Sequence, residues 1–134
     1  MQQAEMQQSH LELIGRFFAA LSAGALSDEL FTDDMTVWTT TSGASPLQRY
    51  QGAVKLLKSL FRDGPHYTVD STTAEADRVA AEVRGAGTLI NGAEYRNSYA
   101  FIFRIREGRI ASIAEHCNSL IVRETLLPLL SARP

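Results

Sequence analysis

The chain is 134 residues long, 45% hydrophobic and 21% charged, with a formal net charge of −2. That is the length of one domain with a real core and the composition of an ordinary globular protein. The lack of any basic run or stripe argues against nucleic-acid and membrane-surface binding, and the longest apolar runs fall far short of the roughly 20 residues that span a bilayer. The opening MQQAEMQQSH has neither a basic n-region nor an apolar h-region, so no signal peptide is expected. One cysteine, Cys117, excludes an internal disulfide, a cysteine-rich zinc site and a CxxC redox motif. The expected location is the cytoplasm.

Residues 1–8 are polar. Ser9 with Glu12 three residues on reads as a capping box, opening a helix to about Ala23. Ile14, Phe17, Phe18 and Leu21 share one face of it, and Gly24 ends it. Ser27 or Asp28 caps a short second helix containing Leu30 and Phe31. Asp33-Asp34 then turns the chain into a strand, Met35–Thr40, and residues 41–48 form a loop by composition. A helix from about Tyr50 to Phe61 turns Val54, Leu57, Leu60 and Phe61 inward, and Asp63-Gly64-Pro65 stops it. His66–Thr73 extends, Glu75-Ala76-Asp77-Arg78 is a hairpin connection, and Val79–Leu89 is a strand in which Gly85 and Gly87 argue for a bend or bulge.

Asn91-Gly92 is a turn leading to the most informative stretch, Glu94–Cys117. Tyr95, Asn97, Tyr99, Phe101, Phe103 and Ile105 alternate with polar neighbours at a period of two, the signature of a half-buried strand. A turn at Arg106-Glu107-Gly108 returns the chain. A three-residue turn would set Tyr99 across from Glu115, whereas a two-residue turn at Glu107-Gly108 would set it across from His116. The first is preferred, which puts Glu115 inside and His116 outside. Asn118 or Ser119 caps a last helix, about Leu120–Leu127, limited by Pro128. Helices first and strands later is an α+β layout. A curved antiparallel sheet wrapped around the helices would form a cone with an internal cavity, in one domain spanning 1–134.

Particular residues support that layout. They are Phe17-Phe18-Ala19-Ala20-Leu21 with Gly24, Phe31-Thr32-Asp33-Asp34 before Trp38, and Gly52-Ala53-Val54. The most specific block is Asn91-Gly92-Ala93-Glu94-Tyr95-Arg96-Asn97-Ser98-Tyr99 with Phe101, Phe103, Gly108-Arg109-Ile110 and Glu115-His116-Cys117-Asn118. Through them nearly the whole chain resembles the SnoaL-like, ketosteroid-isomerase-related group of the nuclear transport factor 2-like superfamily. The resemblance implies the superfamily's cystatin-like roll and a homodimer through the outer sheet face, with Ile102, Ala100 and Ser98 in the interface. It does not fix an activity, because such folds host enzymes and binding modules alike.

Three chemistries are compared residue by residue. The ketosteroid isomerase tyrosine falls on Phe17, its aspartate base on Thr39 and its buried carboxylic acid near Ala100–Phe101, so that route lacks its residues. The Arg-x-Asp pair of limonene epoxide hydrolase falls on Glu82-Val83-Arg84 with the charges reversed, and its second aspartate falls on Glu115. Its tyrosine and asparagine fall on Val37 and Thr39. The resemblance to SnoaL-like cyclases, which use an aspartate as acid/base, gives that part to Glu115, while the aspartate of the family's Glu-Tyr-x-Asp is Asn118 here.

The catalytic candidates are therefore Glu115, Arg84 and Glu82, with an ordinary Glu82–Arg84 ion pair as the plainer alternative. Val79, Ala81 and Val83 form a competing apolar face of the same strand. The pocket candidates are Phe17, Phe18, Leu21, Val37, Trp38, Thr39, Phe61, Asn97, Tyr99 and Cys117. No histidine or carboxylate spacing suggests a metal, no glycine-rich phosphate loop is present, and no cofactor is expected. Two functions stay open: a small-molecule acid/base enzyme acting on an apolar ligand, cyclase-like or epoxide hydrolase-like, or a non-catalytic module for a small ligand or a protein partner.

Overall fold

Leu13, Ile14, Phe17, Phe18 and Leu21 recur at helical spacing, and α1 (Gln2–Ala23) buries all five against a curved sheet. This computed structural model describes residues 2–131. The helix begins well before Ser9, which lies inside it and caps nothing. It ends as expected at Gly24, whose φ of 73° suits a residue without a Cβ. Asp28–Leu30 is one 3-10 turn, capped by the Ser27 side chain on the Glu29 N–H.

The strands are β1 (Phe31–Thr39), β2 (Gly43–Pro46), β3 (Phe61–Glu75), β4 (Arg78–Leu89), β5 (Glu94–Arg106) and β6 (Arg109–Cys117). They form one sheet in the order β2-β1-β6-β5-β4-β3. Every pairing is antiparallel except β1 with β6, which is parallel. Part of the expected loop at 41–48 is thus an edge strand, β2. Helix α2 (Leu47–Ser59) follows; Leu60 is its C-cap and Phe61 opens β3, and both enter the core from outside the helix. Two short helices, α3 (Ser119–Thr125, capped by Asn118) and α4 (Leu127–Ser131), close the described chain. Pro128 sits in the first turn of α4 instead of ending a helix, which agrees with the tolerance for proline there.

The sheet curves because β3 is longer than its partner. Its 15 residues pair with the 12 of β4 through register shifts at Phe61/Asp63, Asp63/His66 and Val69/Ser71. The bulges expected at Gly85 and Gly87 therefore lie on β3, while the β4–β5 ladder runs without a shift. The glycines serve close approach instead. A Cβ on Gly85 would stand 2.8 Å from Cε1 of Tyr99 and 3.2 Å from Cε1 of Tyr67, and one on Gly87 would stand 2.6 Å from the Asp63 carbonyl oxygen.

The central hairpin settles the open register. Arg106 pairs with Arg109, so the turn is the two-residue Glu107-Gly108, with φ of 52° and 77° as a type I′ turn requires. A shift follows at once: Ile105 pairs with Ile110 but Arg104 pairs with Ser112, leaving Ala111 as the extra residue of a bulge. Phe101 consequently faces Glu115, and Tyr99 faces Cys117. Glu115 points inward, as preferred, but by a two-residue turn plus a bulge rather than a three-residue turn.

The closed end of the cone is packed with phenylalanine. Phe17 lies 5.2 Å from both Phe18 and Phe103, and Phe18 lies 5.0 Å from Phe101, all edge-to-face. What space remains lies at the other end, between α2, the far ends of β1 and β6, and α3–α4.

Candidate functional site

That space is a cavity of about 240 Å³. Its sides are apolar, with Leu21 from α1, Val54 and Leu57 from α2, Leu60, and Val122, Leu126 and Leu130 from the C-terminal helices. Five polar residues lie along its β1–β2–α2 border: Thr39, Thr41, Ser42, Ser45 and Arg49. All four tyrosines of the chain, Tyr50, Tyr67, Tyr95 and Tyr99, also line it. Glu115 is the one carboxylate among the lining residues.

Each polar group inside has a traceable position. Tyr50 sits on the buried face of α2 and donates its hydroxyl to Oε1 of Glu115 at 2.6 Å. Burial pushes the Glu115 carboxyl above the usual glutamate range, and the Tyr50 hydrogen bond pulls it part of the way back. Burial is also the leading cause that raises the Tyr50 and Tyr67 phenols, with the charge of Glu115 next. Burial and then Glu115 raise the Cys117 thiol, which disfavours a thiolate nucleophile.

A second group starts at Asn97, whose amide is used on both sides. Its Oδ1 accepts from the Ser98 N–H at 2.8 Å and the Asn118 N–H at 3.2 Å, and its Nδ2 donates to the Asn118 carbonyl at 3.1 Å and the Tyr95 hydroxyl at 3.0 Å. The Tyr95 and Tyr99 hydroxyls are 2.6 Å apart. Tyr95 is 1% exposed and has these two polar partners among the described residues. Its own proton must therefore go to Tyr99, since a buried hydroxyl with no acceptor is costly. Tyr99 in turn directs its own O–H to Tyr67 on the cavity wall, with which it shares a side-chain hydrogen bond and whose ring lies 5.7 Å from its own.

Among the sequence candidates, Glu115, Leu21, Thr39, Tyr99 and Cys117 line the cavity. The Glu82–Arg84–Glu115 cluster does not form. Val79, Ala81 and Val83 take the inner face of β4, so Glu82 and Arg84 are exposed on the outer one. There Glu82 accepts from Ser71, and Arg84 binds Asp70 through Nε and Nη2 at 2.8 Å; the plain Glu82–Arg84 pair does not form either. Asp70 is the extra residue at a β3 register shift, which explains why it reaches the outer face.

Six pocket candidates lie elsewhere. Phe17, Phe18 and Val37 fill the closed end, Phe61 packs edge-to-face on Tyr95 at 5.6 Å, and Asn97 stands behind the tyrosines. Trp38 is 40% exposed on the outer face, with its ring 4.8 Å from that of His116. The sequence reading missed Tyr50, Tyr67 and Tyr95 as cavity residues. Tyr95 carried a signal, because it shares the strand face of Asn97 and Tyr99. Among the described residues, no group of three or more His, Cys, Asp or Glu side chains could hold a metal ion. Among the described residues, too, no helix is long and apolar enough to cross a membrane.

A family model for the SnoaL-like domain matches residues 14–113, and the chain belongs to that family. Its fold recurs in solved structures. A Jannaschia sp. CCS1 protein provisionally assigned as a SnoaL-like polyketide cyclase is 18% identical, with 96% of this chain and 95% of that one covered at a TM-score of 0.74. A limonene-epoxide-hydrolase-like epoxide hydrolase of M. tuberculosis is 16% identical, with 95% and 96% covered at 0.72. A nuclear transport factor 2-like protein of Anabaena variabilis is 22% identical, with 83% and 87% covered at 0.72. At these identities the likeness is one of fold. No curated protein matches the chain significantly.

The raised Glu115 carboxyl makes a prediction about stability. A carboxyl that binds its proton more tightly folded than unfolded weakens the fold as pH rises from the ordinary glutamate value through the raised one. Glu115→Gln is therefore expected to melt higher than wild type at about pH 8, with the gain shrinking toward about pH 4. Scanning calorimetry across that range checks it; a difference independent of pH would contradict a desolvated Glu115.

Proposed function

We propose that the protein is a small-molecule acid/base enzyme whose cavity binds an apolar ligand and whose Glu115 transfers the proton. The observation that carries this is the lone cavity carboxylate, raised by burial and held by Tyr50 at 2.6 Å. A carboxyl raised toward the working pH can accept a C–H proton and return it. The hydrogen-bonded phenols of Tyr99 and Tyr67 on the cavity wall supply a donor for an oxygen that gains negative charge as the proton leaves. Of the two chemistries suggested by family likeness, cyclase- or isomerase-type proton transfer fits better than epoxide hydrolysis. The latter calls for two carboxylates bridged by an arginine, whereas Glu115 is the one carboxylate among the lining residues and Arg49, which also lines the cavity, makes no ion pair with it. The usual ketosteroid isomerase positions fall on Phe17, on Thr39 and near Ala100–Phe101, none of which offers its acid or base.

We also propose a homodimer through the outer sheet face. Ile102 and Trp38 are exposed there at 37% and 40%, and Ala114 of β6 pairs with both and lies between them. Adjacent large apolar groups on one sheet face favour a cover. Light scattering is expected to give a dimer mass for wild type and a monomer mass for Ile102→Glu; a monomeric wild type would overturn the assembly.

The catalytic reading is tested by hydrogen–deuterium exchange of 1-indanone in D₂O, followed by NMR. Wild type is expected to accelerate loss of the protons next to the carbonyl. Glu115→Gln is expected to lose on the order of 10²- to 10⁴-fold of that acceleration, and Tyr99→Phe a smaller part. Equal exchange with wild type and Glu115→Gln would overturn the acid/base role and favour the binding-module alternative.

A further inference from the structure

We propose that the cavity takes a small apolar carboxylic acid, held with its carboxylate on Arg49 and its apolar body inside beside Glu115. This rests on the reading of the Glu115 cavity as a ligand site and adds the ligand's chemical class and orientation. Arg49 is exposed at the start of α2, next in sequence to Tyr50, and lines the same cavity. It makes no hydrogen bond or ion pair among the described residues, whereas Arg84, Arg104 and Arg106 each have an aspartate partner. Around it stand Thr41, Ser42 and Ser45, all donors of a hydroxyl proton.

The charges at the two positions differ in sign. The cavity's one carboxylate is inside and partly buried, and its one guanidinium is exposed to solvent. A carboxylate ligand would be repelled by Glu115 and attracted by Arg49, so it has one favourable orientation. The planar fork of an arginine matches a carboxylate through two parallel hydrogen bonds. The aliphatic side chains of the walls have nothing to offer a second charge. In size, 240 Å³ exceeds the roughly 150 Å³ that accommodates benzene, which leaves room for one ring and a short tail.

The test is calorimetric titration with three probes of equal skeleton: 3-phenylpropanoate, 3-phenylpropanamide and 3-phenylpropylamine. The acid is expected to bind wild type on the order of tenfold tighter than the amide, as one charge-assisted pair would give. Arg49→Gln is expected to bring the acid down to the amide's affinity, and added salt to weaken the acid alone. Equal affinity for acid and amide, or preference for the amine, would overturn the carboxylate proposal while leaving the cavity a ligand site. Binding of none of the three would overturn both. An Arg49→Gln protein that keeps the acid preference would show that another group recognises the anion.

Discussion

One extra residue in β6 decides what the cone contains. The Glu107-Gly108 turn by itself would send Ala114 and His116 inward, because a shift of one residue exchanges the two faces of a strand. The bulge at Ala111 shifts the register once more, after which Ile113, Glu115 and Cys117 face the interior and His116 faces out. The parallel β1–β6 pairing carries the same choice across the sheet. Val37 pairs with Ile113 inside the core, Thr39 pairs with Glu115 at the cavity, and Trp38 is left on the outer face beside His116.

The polar interior works because its buried groups satisfy one another and stop short of satisfying all. Asn97 spends its amide on Ser98, Asn118 and Tyr95, which ties the tyrosine wall to the residue that caps α3. That fixes the direction of the Tyr95–Tyr99 hydrogen bond and carries the chain of phenols on to Tyr67 at the cavity wall. Among the described residues the Glu115 carboxylate has a single donor, Tyr50, where a fully stabilised carboxylate would have two or three. Gly85 belongs to the same arrangement, since a side chain there would collide with the Tyr99 and Tyr67 rings.

The period-two pattern of Glu94–Arg106 made β5 and its inward face legible in the sequence, and the helical spacing in Ile14–Leu21 did the same for α1. The resemblance carried the fold. The bulge at Ala111 left no mark, because alanine at that position looks like any other small strand residue. The inward face of β4 was a choice between Val79, Ala81 and Val83 and the charged set, and burial decided for the valines. Phe17 and Phe18 were legible as buried but not as plugging the closed end, which depends on how four rings meet in space. Tyr50 and Tyr67 came from distant segments whose meeting with Glu115 only the sheet's curvature produces.

The central claim is that Glu115 is a desolvated carboxyl restrained by one phenol. Carboxyl carbon-13 NMR titration of Glu115 in wild type and in Tyr50→Phe tests it directly. The account predicts a wild-type midpoint above that of an ordinary glutamate, and a midpoint higher still once the Tyr50 hydroxyl no longer stabilises the anion. An ordinary midpoint in wild type, or one that stays put or falls in Tyr50→Phe, would contradict it.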